Sequence, residues 1–359
     1  MAASPVSDFA VRSRLRDYEV RFRDDAFADL REELRAGDVI LLDQTVRRLY
    51  AERLDPILAA QPFIEVVANE TQKSYRGAEP VFDRLIEGGF RKQHRLIAIG
   101  GGITQDLTAF IASLLYRGVD WVFYPTTLLA QADSCIGSKT SINFGATKNQ
   151  LGGFYPPRHI VIDLSFLDSL PALERRSGIG EMAHYFLVAG EADFERFRRE
   201  VPRALEDPDV LRGLVARSLE IKRGFIERDE FDRGERQVLN YGHTFGHAIE
   251  SLTNYRVPHG IAVSYGMDLA NYVSVRLGYL PGDVRACARE TLQPIWAGVP
   301  IGEVDQQAYE AALRKDKKNA EGKLGLILTR GFGRMFKQLV PLDSDFSAWI
   351  RTWFAETAR

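Results

Sequence analysis

Short apolar segments alternate with helical patterns through the first half of the chain, and this alternation is the strongest constraint on the fold. One helical pattern runs from Asp106 to Tyr116, with apolar residues at the spacing of a helix, and Gly118 follows as a stop. Strands that alternate with helices predict a mostly parallel sheet with helices on its faces. The candidate strands lie at 18–22, 38–43, 63–69, 95–100, 121–126 and 159–163.

The pattern changes near residue 170, where strand signals fade and long helical patterns with charged faces begin. A chain of 359 residues is long enough for two domains, and its 45% hydrophobic content can fill their cores. We therefore predict an α/β domain over 1–170, built on a parallel sheet, and a helical domain over 171–359.

Charge and cysteine content exclude several classes of function. A formal net charge of −2 gives no general attraction to nucleic acid or to anionic membranes. No apolar run is long enough to span a membrane, and the N-terminus lacks an apolar signal segment. Cys135 and Cys287 are too few and too far apart to suggest a disulfide framework. These features predict a cytoplasmic protein that binds neither nucleic acid nor membranes.

A glycine-rich turn follows the candidate strand that ends at Gly100. Gly101 and Gly102 continue the turn, and Asp106 lies in the helical pattern after it. Such a turn lets the backbone approach a pyrophosphate, whose negative charge is stabilised at a helix N-terminus. Gln105 stands where the dinucleotide fingerprint has its third glycine. The residues alone therefore leave both nucleotide binding and a plain tight turn open.

Thr126 and Thr127 follow at the end of the next candidate strand. Because parallel strands end at one edge of a sheet, these hydroxyl groups would face the same crevice as the glycine turn. A simple strand end without a ligand is an equally open interpretation.

Three histidines and a glutamate have the residue types of a metal site. His243 and His247 are four residues apart, so on a helix they face the same side. His259 and Glu181 would add the imidazole and carboxylate ligands that are typical of catalytic zinc. Thr244 stands where the zincin motif has its glutamate, which disfavours a metalloprotease. A hydrogen-bonded histidine pair in a helical core remains an alternative.

Basic and polar residues are concentrated in three segments of this nearly neutral chain. The segment 132–157 is too long for an idle loop, and long loops in compact domains are usually functional. Each lysine by itself is typical of a solvated surface, but a convergent set would bind a phosphorylated, carboxylated small molecule. The candidates are Asp133, Lys139, Lys148, Asn149, Lys222, Arg236, Asn240, Lys317 and Lys318.

Taken together, these motifs resemble the 3-dehydroquinate synthase family of sugar phosphate cyclases. The resemblance runs from about residue 70 to residue 318, with GGGITQD, PTTLLAQADSCIGSKTSIN, KNQLGGFYPP, GIGEMAHY and LNYGHTFGHAIE in the family's order. It implies an N-terminal α/β nucleotide-binding domain and an all-helical metal-binding domain. It also implies NAD as cofactor, zinc or cobalt as metal, and a phosphorylated sugar acid as substrate.

The resemblance also implies roles for individual residues. Glu181, His243 and His259 would bind the metal, whereas His247 would face the substrate. Arg117 resembles an arginine that enters the neighbouring subunit's site, which implies a homodimer. The NAD-binding positions would be Glu70, Lys73, Gly101, Gly102, Asp106, Thr126, Thr127, Lys139, Lys148, Phe166, Ser169 and Leu170. The substrate pocket would contain Asp133, Lys139, Lys148, Asn149, Lys222, Arg236, Asn240 and one of Lys317 and Lys318.

The reaction implied by the resemblance uses NAD as a transient oxidant. NAD would take a hydride from carbon 5, phosphate would leave by β-elimination, and the hydride would return. Ring opening and an intramolecular aldol reaction would then give 3-dehydroquinate. The metal would lower the pKa of the adjacent substrate hydroxyl groups, and the substrate phosphate would serve as base.

Three positions depart from the family's pattern. The family has a lysine three residues after the metal-binding glutamate, and here that position is His184, on the helix face of Glu181. A histidine is shorter and titrates near neutrality, so it does not simply replace an ammonium group. Ser138 and Gln105 each replace a family glycine.

These departures leave alternatives for the substrate and the activity. Arg236 and Lys222 favour a carboxylated substrate, 3-deoxy-arabino-heptulosonate 7-phosphate. His184 leaves open a specialised cyclase that acts on sedoheptulose 7-phosphate or another sugar phosphate. A metal-dependent polyol dehydrogenase and a catalytically silent relative are further alternatives.

Overall fold

A computed structural model describes residues 6–145, 147–315 and 319–357 of the chain. The strands are β1 (Phe9–Val11), β2 (Tyr18–Phe22), β3 (Val39–Asp43), β4 (Phe63–Val66), β5 (Arg95–Gly100), β6 (Asp120–Pro125), β7 (Lys139–Phe144), β8 (Thr147–Phe154), β9 (His159–Ile162), β10 (Leu324–Thr329) and β11 (Met335–Val340). The helices are α1 (Ala26–Glu33), α2 (Gln44–Leu49), α3 (Ala51–Leu58), α4 (Tyr75–Glu87), α5 (Gly102–Leu114), α6 (Ala172–Ala189), α7 (Glu191–Glu200), α8 (Pro208–Arg228), α9 (His243–Leu252), α10 (His259–Arg276), α11 (Gly282–Trp296), α12 (Gln306–Arg314) and α13 (Ser344–Thr357).

Seven strands form one sheet in the order β1, β2, β9, β6, β5, β3, β4. Every neighbouring pair is parallel except β1 with β2. Strands β3, β5 and β9 are buried along their whole length. Burial on both faces explains why parallel strands appear in the sequence as continuous apolar runs. The predicted α/β fold with a mostly parallel sheet is confirmed.

Two compact units make up the chain. The first contains residues up to Pro171 together with Lys222–Phe231, and the second contains Ala172–Ile221 and the residues from Asp232 onward. The assignment of NAD binding to 1–170 and of metal and substrate binding to 171–359 stays a prediction. Among the described residues, no helix is both long enough and apolar enough to cross a membrane.

The order of the strands in the first unit creates a switch point between β3 and β5. The chain adds β4 on one side of β3 and then returns to add β5 and β6 on the other side. Ligands of such sheets bind beyond the carboxyl ends of the strands at the switch point. Strand β5 ends at Gly100, paired with Pro125 at the end of β6, and Asp43 ends β3. The glycine turn therefore lies where a nucleotide site is expected.

Within the segment 132–157, Lys139–Phe144 and Thr147–Phe154 form a hairpin, where we predicted a long loop. A π-helical turn over Ala130–Ser134 leads into the antiparallel pair β7 and β8. Its glycine, serine and asparagine residues have low strand propensity, which is why the sequence did not predict it. At Gly152, a Cβ atom would lie 1.7 Å from the Thr140 carbonyl oxygen, so the hairpin requires glycine there.

Helix α10 forms the centre of the second unit, and residues Gly260 to Ser274 are all buried. It packs against α6 and α9. A Cβ atom on Gly260 would lie 1.8 Å from the carbonyl oxygen of Ser177 in α6. One on Gly266 would lie 2.0 Å from the carbonyl oxygen of Gly242, next to α9. These glycines allow a backbone approach that any side chain would prevent.

The second unit is helical but also contains a hairpin that we did not predict. Strands β10 and β11 pair antiparallel from Leu324 with Val340 to Thr329 with Met335. Strand β10 is buried throughout. A short apolar run of this kind cannot be assigned to strand or buried helix from periodicity alone, so the expectation of an all-helical unit missed it.

Candidate metal centre and nucleotide-binding residues

The three predicted metal ligands meet in the second unit. Glu181 lies in α6, His243 begins α9 and His259 begins α10. Glu181 Oε1 lies 3.3 Å from His243 Nε2, and Glu181 Oε2 lies 3.3 Å from His259 Nε2. The three donor atoms all lie within 4.8 Å of one another. Two imidazoles and a carboxylate at this separation form the donor set of a catalytic zinc site.

Burial and charge at Glu181 also fit a metal ion. Glu181 is only 2% exposed, and its Oε2 atom makes no hydrogen bond. Burial raises the pKa of this carboxyl group, but the imidazoles of His243 and His259 outweigh burial and hold the pKa well below its usual value. A buried, ionised carboxylate with an unsatisfied oxygen is the arrangement that a cation would complete.

Each imidazole has a second partner that directs its Nε2 atom toward Glu181. His243 Nδ1 lies 3.2 Å from the carbonyl oxygen of Tyr241, and His259 Nδ1 lies 3.0 Å from Glu250 Oε2. Because both partners are acceptors, we assign the proton to Nδ1 of each ring, which leaves Nε2 as the metal donor. Burial lowers the pKa of His259, but Glu250 and Glu181 more than offset this and raise it well above its usual value.

His184 and His247 flank the three ligands. His184 is buried in α6, with Nδ1 3.7 Å from Glu181 Oε1. His247 lies on α9 one turn after His243, as the spacing predicted, and it is exposed. Its ring centre lies 5.5 Å from that of His243 and 5.6 Å from that of His259. Both positions are therefore close to any ion that Glu181 holds.

The remaining predicted residues of the second unit are only partly described. Arg236 and Asn240 lie in the 3₁₀ turn Glu235–Asn240, which packs against α6. Arg236 is buried, and Asn240 Nδ2 donates to the Gln237 carbonyl oxygen at 3.1 Å. Lys317 and Lys318 lie outside the described residues.

In the first unit, a polar network joins five of the predicted residues. Lys73 Nζ lies 2.6 Å from Asp106 Oδ2 and donates to Asn149 Oδ1 at 2.8 Å. Lys148 Nζ lies 3.7 Å from Glu70 Oε1. Burial raises the pKa of the Asp106 carboxyl group, although the ion pair with Lys73 works against this rise.

Asn143, which the sequence analysis did not single out, connects this network. Its Nδ2 atom donates to Glu70 Oε1 at 2.9 Å, and its Oδ1 atom accepts from the backbone N–H of Asn149 at 3.0 Å. Its own backbone N–H donates to the Lys73 carbonyl oxygen at 2.8 Å. Asparagine is depleted in strands, so its place in β7 is the one sequence signal that could have identified it.

The glycine turn begins α5 at Gly102, with Gly101 as the N-terminal cap. A Cβ atom on Gly101 would lie 2.9 Å from Thr127 Cγ2, so this turn and Thr127 are neighbours. Gln105 binds Ser134, donating to its carbonyl oxygen at 2.6 Å and accepting from its hydroxyl group at 2.7 Å. Gln105, which replaces the family glycine, therefore uses its side-chain amide to bind Ser134 within the first unit.

The predicted cofactor segment 166–170 lies in the 3₁₀ turn Leu164–Ser169 and the residue after it. The ring of Phe166 packs in the core, with ring centres 5.3 Å from Tyr50 and 5.4 Å from Phe27. Ser169 pairs with the Tyr50 hydroxyl group at 2.8 Å and donates to the Phe166 carbonyl oxygen at 3.1 Å. The Phe166 side chain is therefore a core residue.

Asp133 and Lys222 form a largely buried ion pair in the first unit. Lys222 Nζ lies 2.6 Å from Asp133 Oδ1 and donates to the Asp133 carbonyl oxygen at 2.8 Å. Asp133 belongs to the π-helical turn, a feature that is frequent at functional sites. Lys139 lies exposed at the start of β7.

Arg117 is exposed on a strained turn after α5. Tyr116, Arg117 and Gly118 have φ angles of 51°, 62° and 112°. Left-handed conformations of non-glycine residues cost about 1–3 kcal/mol each and persist where surrounding contacts fix them. The Tyr116 hydroxyl group donates to the Phe90 carbonyl oxygen at 3.0 Å and helps to fix this turn.

Comparison with protein families decides the family. Residues 63–177 match the model of the 3-dehydroquinate synthase N-terminal region, and residues 178–319 match the model of its C-terminal region. The chain belongs to the 3-dehydroquinate synthase family. Membership in this family supports an enzyme that cyclises sugar phosphates, and it confirms the resemblance inferred from the motifs.

Individual relatives agree with this family. A 3-dehydroquinate synthase from Syntrophotalea carbinolica is 37% identical over 302 residues, which cover 82% of this chain and 83% of the relative. A solved 2-deoxy-scyllo-inosose synthase, complexed with carbaglucose-6-phosphate, NAD⁺ and Co²⁺, has a TM-score of 0.84 at 21% identity and covers 98% of this chain and 100% of its own. The 2-epi-5-epi-valiolone synthase of Streptomyces hygroscopicus, with NAD⁺ and Zn²⁺ bound, has a TM-score of 0.82 at 27% identity and covers 94% and 97%.

Proposed function

We propose that the protein acts as a 3-dehydroquinate synthase, a carbon–oxygen lyase. Its substrate would be 3-deoxy-arabino-heptulosonate 7-phosphate, with NAD as transient oxidant and zinc or cobalt as the bound metal. The observation that carries this proposal is the meeting of Glu181, His243 and His259, in which both imidazoles direct Nε2 toward the carboxylate. The name of the curated relative supports the substrate.

The second unit would hold the metal through Glu181, His243 and His259. A divalent ion held there would lower the pKa of substrate hydroxyl groups and fix their geometry. The donor set supplies one negative charge, so an excess positive charge would remain to attract anionic oxygen atoms. Arg236 would pair with the substrate carboxylate, because its guanidinium group donates two parallel hydrogen bonds. Asn240 and His247 would hold the substrate phosphate.

The first unit would bind NAD, whose nicotinamide supplies a reversible hydride acceptor. Gly101 and Gly102 would let the pyrophosphate approach the N-terminus of α5. Lys73 is held by Asp106 and Asn149, and this reduces the entropy that binding would cost. Asp133, Lys139, Lys148 and Lys222 supply further polar groups at positions that the family resemblance matches to substrate or cofactor.

We also propose a homodimer in which Arg117 serves the partner's site. Its strained and exposed turn supports this role, because strain is retained where function requires it. Mixing Arg117→Ala protein with Glu181→Gln protein, each inactive alone, should restore part of the activity in mixed dimers. No recovery after subunit exchange would contradict the role in the neighbouring site.

The unpaired thiols of Cys135 and Cys287 are consistent with a reducing cytoplasm.

Phosphate release tests the proposed reaction. The protein with NAD and zinc should release phosphate from the heptulosonate phosphate without lasting NADH absorbance, because the hydride returns. His184, in place of the family lysine, favours the alternative of a specialised cyclase. Release from sedoheptulose 7-phosphate alone would support that alternative, and release from no sugar phosphate would contradict both.

A further inference from the structure

Glu250 is a buried carboxylate beside the candidate metal centre to which neither the motifs nor the family resemblance gave a role. It lies on α9, seven residues after His243 and three after His247, so the three side chains share one face of that helix. The side chain is 7% exposed. Burying a carboxylate is costly unless a partner compensates, so its position requires a reason.

One partner is His259 on α10, whose Nδ1 atom lies 3.0 Å from Glu250 Oε2. The other ring nitrogen, Nε2, lies 3.3 Å from Glu181 Oε2. The His259 ring is therefore held between two carboxylates. Glu250 accepts the Nδ1 proton, which fixes both the tautomer and the orientation of the ring.

The second imidazole ligand is supported differently. His243 Nδ1 lies 3.2 Å from the backbone carbonyl oxygen of Tyr241, which carries a dipole but no net charge. A carboxylate raises the electron density on the ring more strongly than a carbonyl group does. His259 should therefore be the stronger donor of the two.

We propose that Glu250 is a positioning residue that orients His259 and strengthens its bond to the metal. This inference rests on the proposed role of His259 as a metal ligand. A competing arrangement exists, because His247, Glu250 and His259 also bring donor atoms within 4.8 Å of one another. If that group held an ion of its own, Glu250 would be a ligand and not a positioning residue.

The test is a titration of metal-stripped full-length protein with Co²⁺ in competition with a chelator. The unmodified chain should bind one ion, and Glu250→Gln should bind it about 10–100-fold more weakly. The ligand-field absorption of bound Co²⁺ should also change in Glu250→Gln, since one donor has changed its strength. Both readouts report on the metal and not on turnover.

Asp268→Asn is the matched control. Asp268 is a fully buried carboxylate on the same helix as His259, but it binds Arg285, Arg289 and Trp353. This variant should lose stability and yet keep the Co²⁺ affinity and spectrum of the unmodified chain. The control separates a general loss of packing from a specific effect on the metal ligand.

Two results would overturn the proposal: an unchanged Co²⁺ affinity in Glu250→Gln, or two ions bound per unmodified chain. If Glu250→Gln does not fold, Glu250→Asp takes its place, since its carboxylate ends one methylene short of His259, and an affinity equal to that of Asp268→Asn would overturn the proposal. A chain that binds one Co²⁺ ion but releases no phosphate from any sugar phosphate would refute the proposed function and leave this comparison valid.

Discussion

The metal cluster and the polar network around Lys73 are built in opposite ways. Glu181, His243 and His259 come from three helices that glycines hold at close backbone distance. The network comes from the loop between β4 and α4, from helix α5 and from the β7–β8 hairpin. It contains two acidic residues, Glu70 and Asp106, and two lysines. In the cluster, one carboxylate faces two imidazoles, whereas in the network each carboxylate faces a lysine.

The difference predicts how the cluster and the network would each take part in ligand binding. A buried carboxylate between two imidazoles is a donor set that a divalent cation would bind, so we expect the cluster to act through a bound ion. The charged groups of the network already pair with one another. The network would therefore contribute to NAD binding by holding donors and acceptors in a fixed arrangement. Loss of one charge should consequently do far more damage in the cluster than in the network.

The largest effect is expected from Glu181→Gln. It removes the anionic ligand and should abolish tight metal binding. Loss of the metal should remove about 4 kcal/mol of transition-state stabilisation, which corresponds to a rate of phosphate release about 1,000-fold lower. Glu174→Gln, at an exposed position of the same helix, is the control and should retain full activity. Near-normal turnover in Glu181→Gln would remove the basis of the comparison.

Gly260→Ala tests whether close helix packing builds the cluster. The new Cβ atom would lie 1.8 Å from the Ser177 carbonyl oxygen and must push α6 away from α10. We expect a loss of about 3 kcal/mol in the free energy of unfolding, together with weaker metal binding. Gly282→Ala has no heavy atom within 4 Å and should be neutral or slightly stabilising. Equal stabilities of the two variants, from denaturant midpoints, would contradict the packing argument.

Acid should lower the free energy of unfolding through His159, which lies at the start of β9 in the first unit. Burial, followed by the charge of Arg21, lowers the pKa of His159 to about 4. The unfolded chain, with a pKa of about 6.5, binds this proton more readily, so stability is complete above about pH 6.5 and is lost as the pH falls toward 4. The loss is at most about 3 kcal/mol. His159→Asn should flatten this part of the stability curve, and an unchanged slope would show that other groups cause it.

The smallest effect is expected in the polar network. Lys73→Met removes the charged partner of Asp106 and should weaken NAD binding about 10-fold, equivalent to about 1.4 kcal/mol. Lys92→Met, at an exposed position before β5, should leave NAD affinity unchanged. If Lys73→Met lost as much NAD affinity as Glu181→Gln loses metal affinity, the proposed difference between the network and the cluster would be wrong.

The parts of the molecule that the sequence predicted are those with a local physical signal. Strands β3, β5 and β9 are apolar runs because both faces are buried, and the histidines of α9 lie one turn apart. The hairpin β7–β8 has no such signal, since its pairing of Lys139 with Phe154 depends on register and not on composition. For the same reason, Asn143 could not be placed in the network beforehand.

Glu250 was only partly predictable from the sequence. Its spacing of seven residues from His243 was visible in the sequence and predicts a shared helix face. Its contact with His259 depends on how α9 packs against α10, which the sequence does not reveal. Of the predicted site residues, Glu181, His243 and His259 meet in the structure, and their role as metal ligands stays a prediction until an ion is bound.

The most direct test is to return zinc to metal-stripped protein while phosphate release from the heptulosonate phosphate is followed. Activity should rise in proportion to added zinc up to one equivalent per chain, and Glu181→Gln should not recover at that level. Full activity in the stripped protein, or full recovery of Glu181→Gln with one equivalent, would contradict the claim that Glu181, His243 and His259 hold the catalytic ion.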